Sequence, residues 1–256
     1  MTEPDSYNQS NQTIAVNGIE LHYALDGEPD KPLLALVNMA SHNLTCWEGV
    51  LDALLRHHRV LRFDIRGTGK SGWGADEQFT FSQYADDLAG LMDALALDRA
   101  FVLGVAYGAR TAARFALHHP ERLNALGLFD VSLIPPVEQG GQRALGAEAR
   151  KLLEAAGTPA PDPKKSWRFY EDREAARKAH TAHEREPDIT PDMAQVSAPT
   201  LVVCGRQDQN LGEAERIADV MPNARFEVME MTGHGSPFFR PDLFAQLIND
   251  FSETLP

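Results

Sequence analysis

Hydrophobic and polar positions alternate in two short runs near the start of the chain, Gln12-Thr13-Ile14-Ala15-Val16 and Ile19-Glu20-Leu21-His22-Tyr23. Alternation sends successive side chains to opposite faces of an extended strand. The runs meet at Asn17-Gly18, and both central positions of a type I′ turn need positive φ, so the segment predicts a β-hairpin. Beyond it the pattern changes. Leu33 to Asn38 is almost continuously apolar, and strand-length runs recur at Arg59–Asp64, Ala100–Leu103, Ala125–Phe129, Thr200–Cys204 and Arg225–Met229. Short apolar runs of this kind predict strands buried on both faces. Between them the apolar period lengthens to that of a helix. Tyr84, Leu88, Leu91, Met92 and Leu95 form one stripe within Phe79–Leu97, and further helices are predicted over Trp47–Arg56, Tyr107–His118 and Pro241–Phe251.

Strands alternating with helices at this spacing predict an α/β fold: a mostly parallel twisted sheet with helices on both faces and the antiparallel hairpin at its front edge. The rhythm breaks between residues 133 and 197, which hold Pro135-Pro136, a turn at Gly140-Gly141, helical runs near 144–156 and 166–186, and the Pro-rich link Thr158–Pro163. These residues are expected to form a helical cap over the carboxyl ends of the strands, where open α/β sheets keep their ligand crevice. The expected organisation is a flexible tail over 1–11, a core of 12–132 with 198–256, and the cap over 133–197.

Charge narrows the range of partners. The 256 residues carry 24 Lys and Arg against 37 Asp and Glu, a formal charge of −13. Such a surface repels phosphate backbones and anionic lipid, which argues against nucleic acid and membrane partners. The opening MTEPDSYNQSNQ has neither a basic nor an apolar region and does not read as a secretory signal. The apolar run Leu33–Val37 is too short to span a bilayer. Cys46 and Cys204 offer no disulfide framework and no metal-ligand spacing. A cytoplasmic protein acting on a small molecule is expected, with no metal, nucleotide or organic cofactor.

The chemistry is concentrated in three loops. Gly104-Val105-Ala106-Tyr107-Gly108 lies at a strand-to-helix junction, where the middle residue must occupy a sharp, strained turn and the glycines let neighbouring backbone pass close by. This is the setting of a nucleophile elbow, yet the middle residue is Ala106. Downstream, Gly205-Arg206-Gln207-Asp208 and Thr232-Gly233-His234-Gly235 each follow a predicted strand. Elbow, acid and histidine thus occur in the order of an α/β-hydrolase triad, in which the acid fixes the imidazole tautomer and the imidazole takes the nucleophile's proton.

From about residue 12 to residue 253 the chain resembles an α/β-hydrolase-fold protein. The segment Asn38 to Trp47, then Arg66-Gly67-Thr68-Gly69-Lys70-Ser71, then Pro199-Thr200-Leu201 with Asp208 and His234, resembles the small-cap branch that includes 3-oxoadipate enol-lactonases. The resemblance implies hydrolysis of a carboxylic ester or lactone, with Ala106 at the nucleophile position. By analogy, the backbone N–H groups of Ala40 (or Met39) and Tyr107 would form the oxyanion hole. Asn38-Met39 stands where many relatives carry His-Gly, a departure the enol-lactonase-like proteins share. Ala106 is the larger departure, since loss of a triad serine costs about six orders of magnitude in protease turnover. Three readings stay open: a hydrolase whose serine was removed by engineering or natural loss, a serine-independent lyase or cofactor-free oxygenase using His234 and Asp208, and a ligand-binding pseudoenzyme. An elbow conformation costs on the order of 1–3 kcal/mol. Alanine still bears most of that cost, whereas drift would favour glycine, which points to the first reading.

Other residues invite chemistry and have plainer explanations. Asp130 ends a strand and is expected to cap the turn into the cap segment. Ser41 and Ser132 lie near the site but on no elbow. His180, His183 and Glu184 have helical spacing suggestive of a metal site, but their charge-laced surroundings read as a solvated helix face. Gly67–Ser71 lacks the first glycine of a phosphate loop, since that position is Asp64. Asn38, Met39, Ser41, Trp167, Tyr170 and Phe238 are candidates for the substrate pocket; the aromatic ones among them, like Phe169 and Phe239, serve equally well as packing between cap and core.

Overall fold

A computed structural model describes residues 9–135 and 140–255. Eight strands form one sheet: β1 (Gln9–Val16), β2 (Ile19–Asp26), β3 (Leu33–Val37), β4 (Arg59–Phe63), β5 (Ala100–Val105), β6 (Leu123–Phe129), β7 (Thr200–Gln207) and β8 (Ala224–Gly233). Their order is β1-β2-β4-β3-β5-β6-β7-β8. β2 runs antiparallel to both β1 and β4, and every pairing from β4 through β8 is parallel. Nine helices follow the chain: α1 (Glu48–Leu54), α2 (Phe81–Ala94), α3 (Tyr107–His118), α4 (Gln142–Ala155), α5 (Arg173–His180), α6 (Ala182–Arg185), α7 (Leu211–Val220), α8 (Ser236–Phe239) and α9 (Pro241–Ser252), counted among the described residues.

The continuous apolar runs are explained by burial on both faces. In β3, Ala35 and Val37 face a core built with α2 and α3, whereas Leu34 and Leu36 face Trp47, Val50, Phe244 and Ile248 on the opposite side. The hairpin turns at Asn17 (φ 48°) and Gly18 (φ 79°), as the Asn-Gly pair requires.

The expected tail is shorter than 1–11, because β1 begins at Gln9; the rest of that expectation, residues 1–8, lies outside the described residues. Pro136 of the expected Pro135-Pro136 break lies outside them too. The helix expected over 166–186 is broken in two places. A 3-10 turn spans Lys165–Arg168, α5 starts only after Asp172, and Thr181 separates α5 from α6. Asp172 causes the restart by accepting from the backbone N–H groups of Glu174 and Ala175 at 2.8 and 3.0 Å. α7 went unpredicted although Leu211, Ala214 and Ile217 mark its inner stripe; Ala214 and Ile217 are buried.

The glycine-rich stretch after β4 is structural. It wraps the buried carboxylate of Asp64, which accepts from Lys70 N at 2.9 Å, Leu44 N at 2.7 Å and bonds His22 Nδ1 at 2.6 Å. Arg66 is anchored side-on by Asp87 through bonds of 2.8 and 2.7 Å. These charge-assisted bonds fix the loop that carries the chain from β4 toward α2. No helix among the described residues is long and apolar enough to cross a membrane.

Candidate active site

Ala106 links β5 to α3 with φ 54° and ψ −111°, a combination L-residues rarely adopt. The flanking glycines make this path possible. A Cβ at Gly104 would overlap the carbonyl of Gly108, and a Cβ at Gly108 would overlap the carbonyl oxygens of Val37 and Asn38. The first turn of α3 is thereby pressed against the end of β3. Ala106 N is held by the Phe129 carbonyl at 2.8 Å. Tyr107, the first residue of α3, has an N–H outside the intrahelical ladder, and it stands beside Met39 and Ala40 on the wall of one cavity.

Asp208 and His234 pair at that cavity, with His234 on its wall. Nδ1 of His234 bonds Asp208 Oδ2 at 2.9 Å, with the Asp208 side chain fully buried and that of His234 31% exposed. Asp208 Oδ1 accepts from Asn210 N at 2.9 Å. Burial alone would depress the imidazole pKa, but the hydrogen bond to Asp208 and the charges of Asp208 and Asp130 outweigh it and raise His234 above its usual value. With Nδ1 committed to the carboxylate, Nε2 is the nitrogen left for a ligand.

The cavity measures about 660 Å³ and its wall includes Met39, Ala40, Ala106, Tyr107, His234 and Phe238. Ser41 and Tyr170 instead line an adjoining cavity of about 550 Å³, where the Tyr170 hydroxyl donates to the Ser41 carbonyl. Two pocket candidates lie elsewhere. Asn38 is fully buried, its amide donating to the Phe63 carbonyl at 2.8 Å and accepting from Trp47 Nε1 at 2.6 Å. Trp167 is buried behind the wall, stacked on Phe238 at 4.9 Å between ring centroids. Both support lining residues without reaching the cavity.

A family model described as "Alpha/beta hydrolase family" matches residues 40–247. The chain belongs to the alpha/beta hydrolase family. It is 26% identical to the "Putative carbamate hydrolase RutD" of Caulobacter sp. (strain K31), across 94% of this chain and 97% of that protein. It is equally similar to the 3-oxoadipate enol-lactonase 2 of Acinetobacter baylyi, 26% across 91% of this chain and 92% of that one. Among solved structures, the enol-lactonase of Burkholderia xenovorans LB400 superposes with a TM-score of 0.79 at 26% identity, covering 94% of this chain and all of that chain.

Within this alpha/beta hydrolase Gln142 escaped the sequence reading, and Asp130, His180 and His183 stand in places other than those expected. Gln142, at the start of α4, donates from Nε2 to Asp208 Oδ1 at 2.8 Å and accepts from Gln209 N at 3.0 Å, tying the inserted helix to the acid loop. Asp130 does not cap the turn into the inserted segment. Its fully buried carboxylate accepts from Gly235 N at 3.1 Å and Ser236 N at 2.7 Å, bracing the loop that carries His234. Burial, and then the charge of Asp208, raise its pKa to about 6 against the pull of His234 and Ser236. His180 and His183 turn toward the cavity rather than forming a solvated face, while Glu184 remains exposed. His180 Nε2 bonds Ser41 Oγ at 2.7 Å. Among the described residues, the cluster with metal-ligand proximity is Asp130, Cys204 and Asp208, not the histidines.

Proposed function

We propose that the cavity is an acyl-transfer site for a small carboxylic ester or lactone, complete except for the nucleophilic oxygen. The observation that carries this reading is the backbone of Ala106: a strained elbow, φ 54°, aimed into the cavity that His234 also lines. With Ser at position 106, Oγ would bond to the substrate carbonyl carbon while its proton passed to Nε2 of His234. The N–H groups of Ala40 and Tyr107 would hold the oxyanion, and Asp208 would stabilise the imidazolium. Collapse would break the bond to the leaving oxygen, which takes the proton back from His234. Water would then release the acid by the same route. The present chain lacks Oγ and forms no acyl-enzyme, so it holds its substrate uncleaved. The hydrolase relatives support the reaction class.

The test is Ala106→Ser, with both forms exposed to a fluorophosphonate probe, read by intact mass, and assayed on a short-chain aryl ester. Labelling and turnover by the Ser form alone support the proposal, and their absence from both forms overturns it. A second reading draws support from the intact Asp208–His234 bond, which has no function in a serine hydrolase without its serine. In that reading His234 acts directly as a base on water or on a substrate C–H. Turnover by the Ala106 form that disappears with His234→Ala would establish it, whereas ligand-dependent stabilisation without turnover in any form would mark a binding protein.

A further inference from the structure

Arg110 stands one helical turn beyond the elbow, on α3. Helical side chains lean toward the N-terminus, so its guanidinium reaches back to the wall of the cavity that holds Ala106 and His234. It is only 8% exposed. Among the described residues no carboxylate lies within ion-pair distance of it, and its one hydrogen bond runs from Nη2 to the Ile134 carbonyl at 2.5 Å. Nη1 is buried and has no acceptor among the described residues. The acid whose charge it feels most, Glu186, is taken by Arg114 at 2.5 Å. A buried guanidinium has five N–H donors and cannot shed its proton, so with one carbonyl bond and the face of Phe81, 5.8 Å away, as its partners among the described residues it still carries a desolvation penalty. Other buried arginines of this protein do not bear that penalty: Arg62 is paired with Asp26 and Arg66 with Asp87.

The cation is not isolated. Arg168 lines both this cavity and the adjoining one, with Nε 3.5 Å from Nε2 of His42 and no carboxylate partner among the described residues. Arg173 and Arg177 continue the positive lining outward. Among the described residues the acidic one on the wall, Glu213, is neutralised by Arg216 at 2.7 Å. Despite its formal charge of −13, the protein directs two guanidinium groups with no carboxylate partner among the described residues, Arg110 and Arg168, into this cavity, and two more, Arg173 and Arg177, into the adjoining one.

We propose that the cavity takes an acyl compound bearing a free carboxylate remote from its reacting carbonyl, with Arg110 as the deep partner of that carboxylate and Arg168 as its partner at the mouth. The proposal rests on the acyl-transfer reading for what the other end of the ligand is, but it is tested by binding alone. Guanidinium is suited to a planar carboxylate because its N–H groups match both oxygens. The bound anion would supply the acceptors that Arg110 lacks.

The experiment uses the Ala106 protein and calorimetric titration with the monomethyl esters of succinate, glutarate, adipate and suberate, each beside its neutral dimethyl ester, and with monobutyl phosphate as a second anion. At least one monoester is expected to bind about tenfold or more tightly than its diester, with the preference weakening as salt rises. Arg110→Gln should abolish the preference. Arg168→Gln, at an exposed position where folding is not at stake, should reduce it by several-fold. Equal binding of every monoester and diester, no binding by any monoester, a preference untouched by both substitutions, or monobutyl phosphate binding as tightly as the best monoester would each overturn the carboxylate assignment. Failure of Ala106→Ser to label or turn over would refute the acyl-transfer reading and leave the charge preference standing, so the two failures are distinguishable.

Discussion

Asp130 gives the sharpest expectation. Its carboxylate is fully buried, lies beside Cys204 and Asp208, and carries a pKa raised to about 6, against 3.8 for an unperturbed aspartate. Between those values the native state holds a proton that the unfolded chain has released. Stability contributed by this group therefore falls as pH rises through the window, and the whole penalty is present above it. At about 1.4 kcal/mol for each pH unit, the window amounts to about 3 kcal/mol. Asp130→Asn removes the charge and keeps an oxygen for the Gly235 and Ser236 amides. Its NH2 group would oppose the Gly205 amide, now 3.4 Å from Oδ1, at a cost of about 1 kcal/mol. The variant should thus be more stable than the parent at pH 8 by about 2 kcal/mol, with the advantage vanishing between about pH 4 and 5 and turning into a deficit of up to about 1 kcal/mol below, where only the Gly205 cost remains. His42 and His58, whose pKa values burial lowers to about 4, titrate with the opposite sign in both proteins and cancel in the comparison. Urea unfolding at a series of pH values measures the difference directly. A variant less stable than its parent at pH 8, or one whose difference from it does not change with pH, would refute the reasoning.

Further expectations concern the residues around the cavity. Ala106→Gly relieves a positive φ and should stabilise the protein by about 1 kcal/mol in urea unfolding, the relief of strain exceeding the greater chain entropy of glycine. Asn38→Leu strands the Trp47 indole N–H and the Phe63 carbonyl in the interior and should cost about 2–6 kcal/mol, visible as a lower Tm. Asp208→Asn removes the hydrogen-bonded carboxylate that does most to raise the His234 pKa, so an NMR titration should find it lower than in the parent; an unchanged value would mean that Asp130 dominates.

The elements and the elbow were legible because each is a local property. Apolar runs, helical stripes and the Gly104–Gly108 spacing all lie within a few residues of one another in the chain. Asn38 was misjudged although its strand held the answer. It shares parity with Leu34 and Leu36, which face the layer containing Trp47, so its side chain enters that layer rather than the cavity. Asp130 and Gln142 were beyond reach for a different reason. Their bonds span 106 and 66 residues, to Ser236 and to Asp208, and no period in the sequence encodes such a meeting. Arg110 falls between these cases. It sits in the predicted helix, but what distinguishes it is a missing partner, and that is visible only once every acid has been placed.

The strain at Ala106 has a structural origin that bears on the missing oxygen. Ser41, Ala106 and Asp130 have positive φ of 60°, 54° and 51°, and all three stand at the carboxyl ends of the strands around the site. None is glycine, so each conformation is imposed by its surroundings rather than chosen by the residue. At the elbow the imposing contacts are the Phe129 carbonyl on Ala106 N and the close approach of Gly104 and Gly108 to neighbouring backbone. None of these involves the side chain at 106. The turn is therefore kept by the scaffold whether or not a nucleophile is present, and alanine bears the same backbone cost as serine. Restoring the oxygen by Ala106→Ser then asks for no backbone rearrangement, which makes that substitution a clean test: failure would lie with the groups around the oxygen, not with its placement.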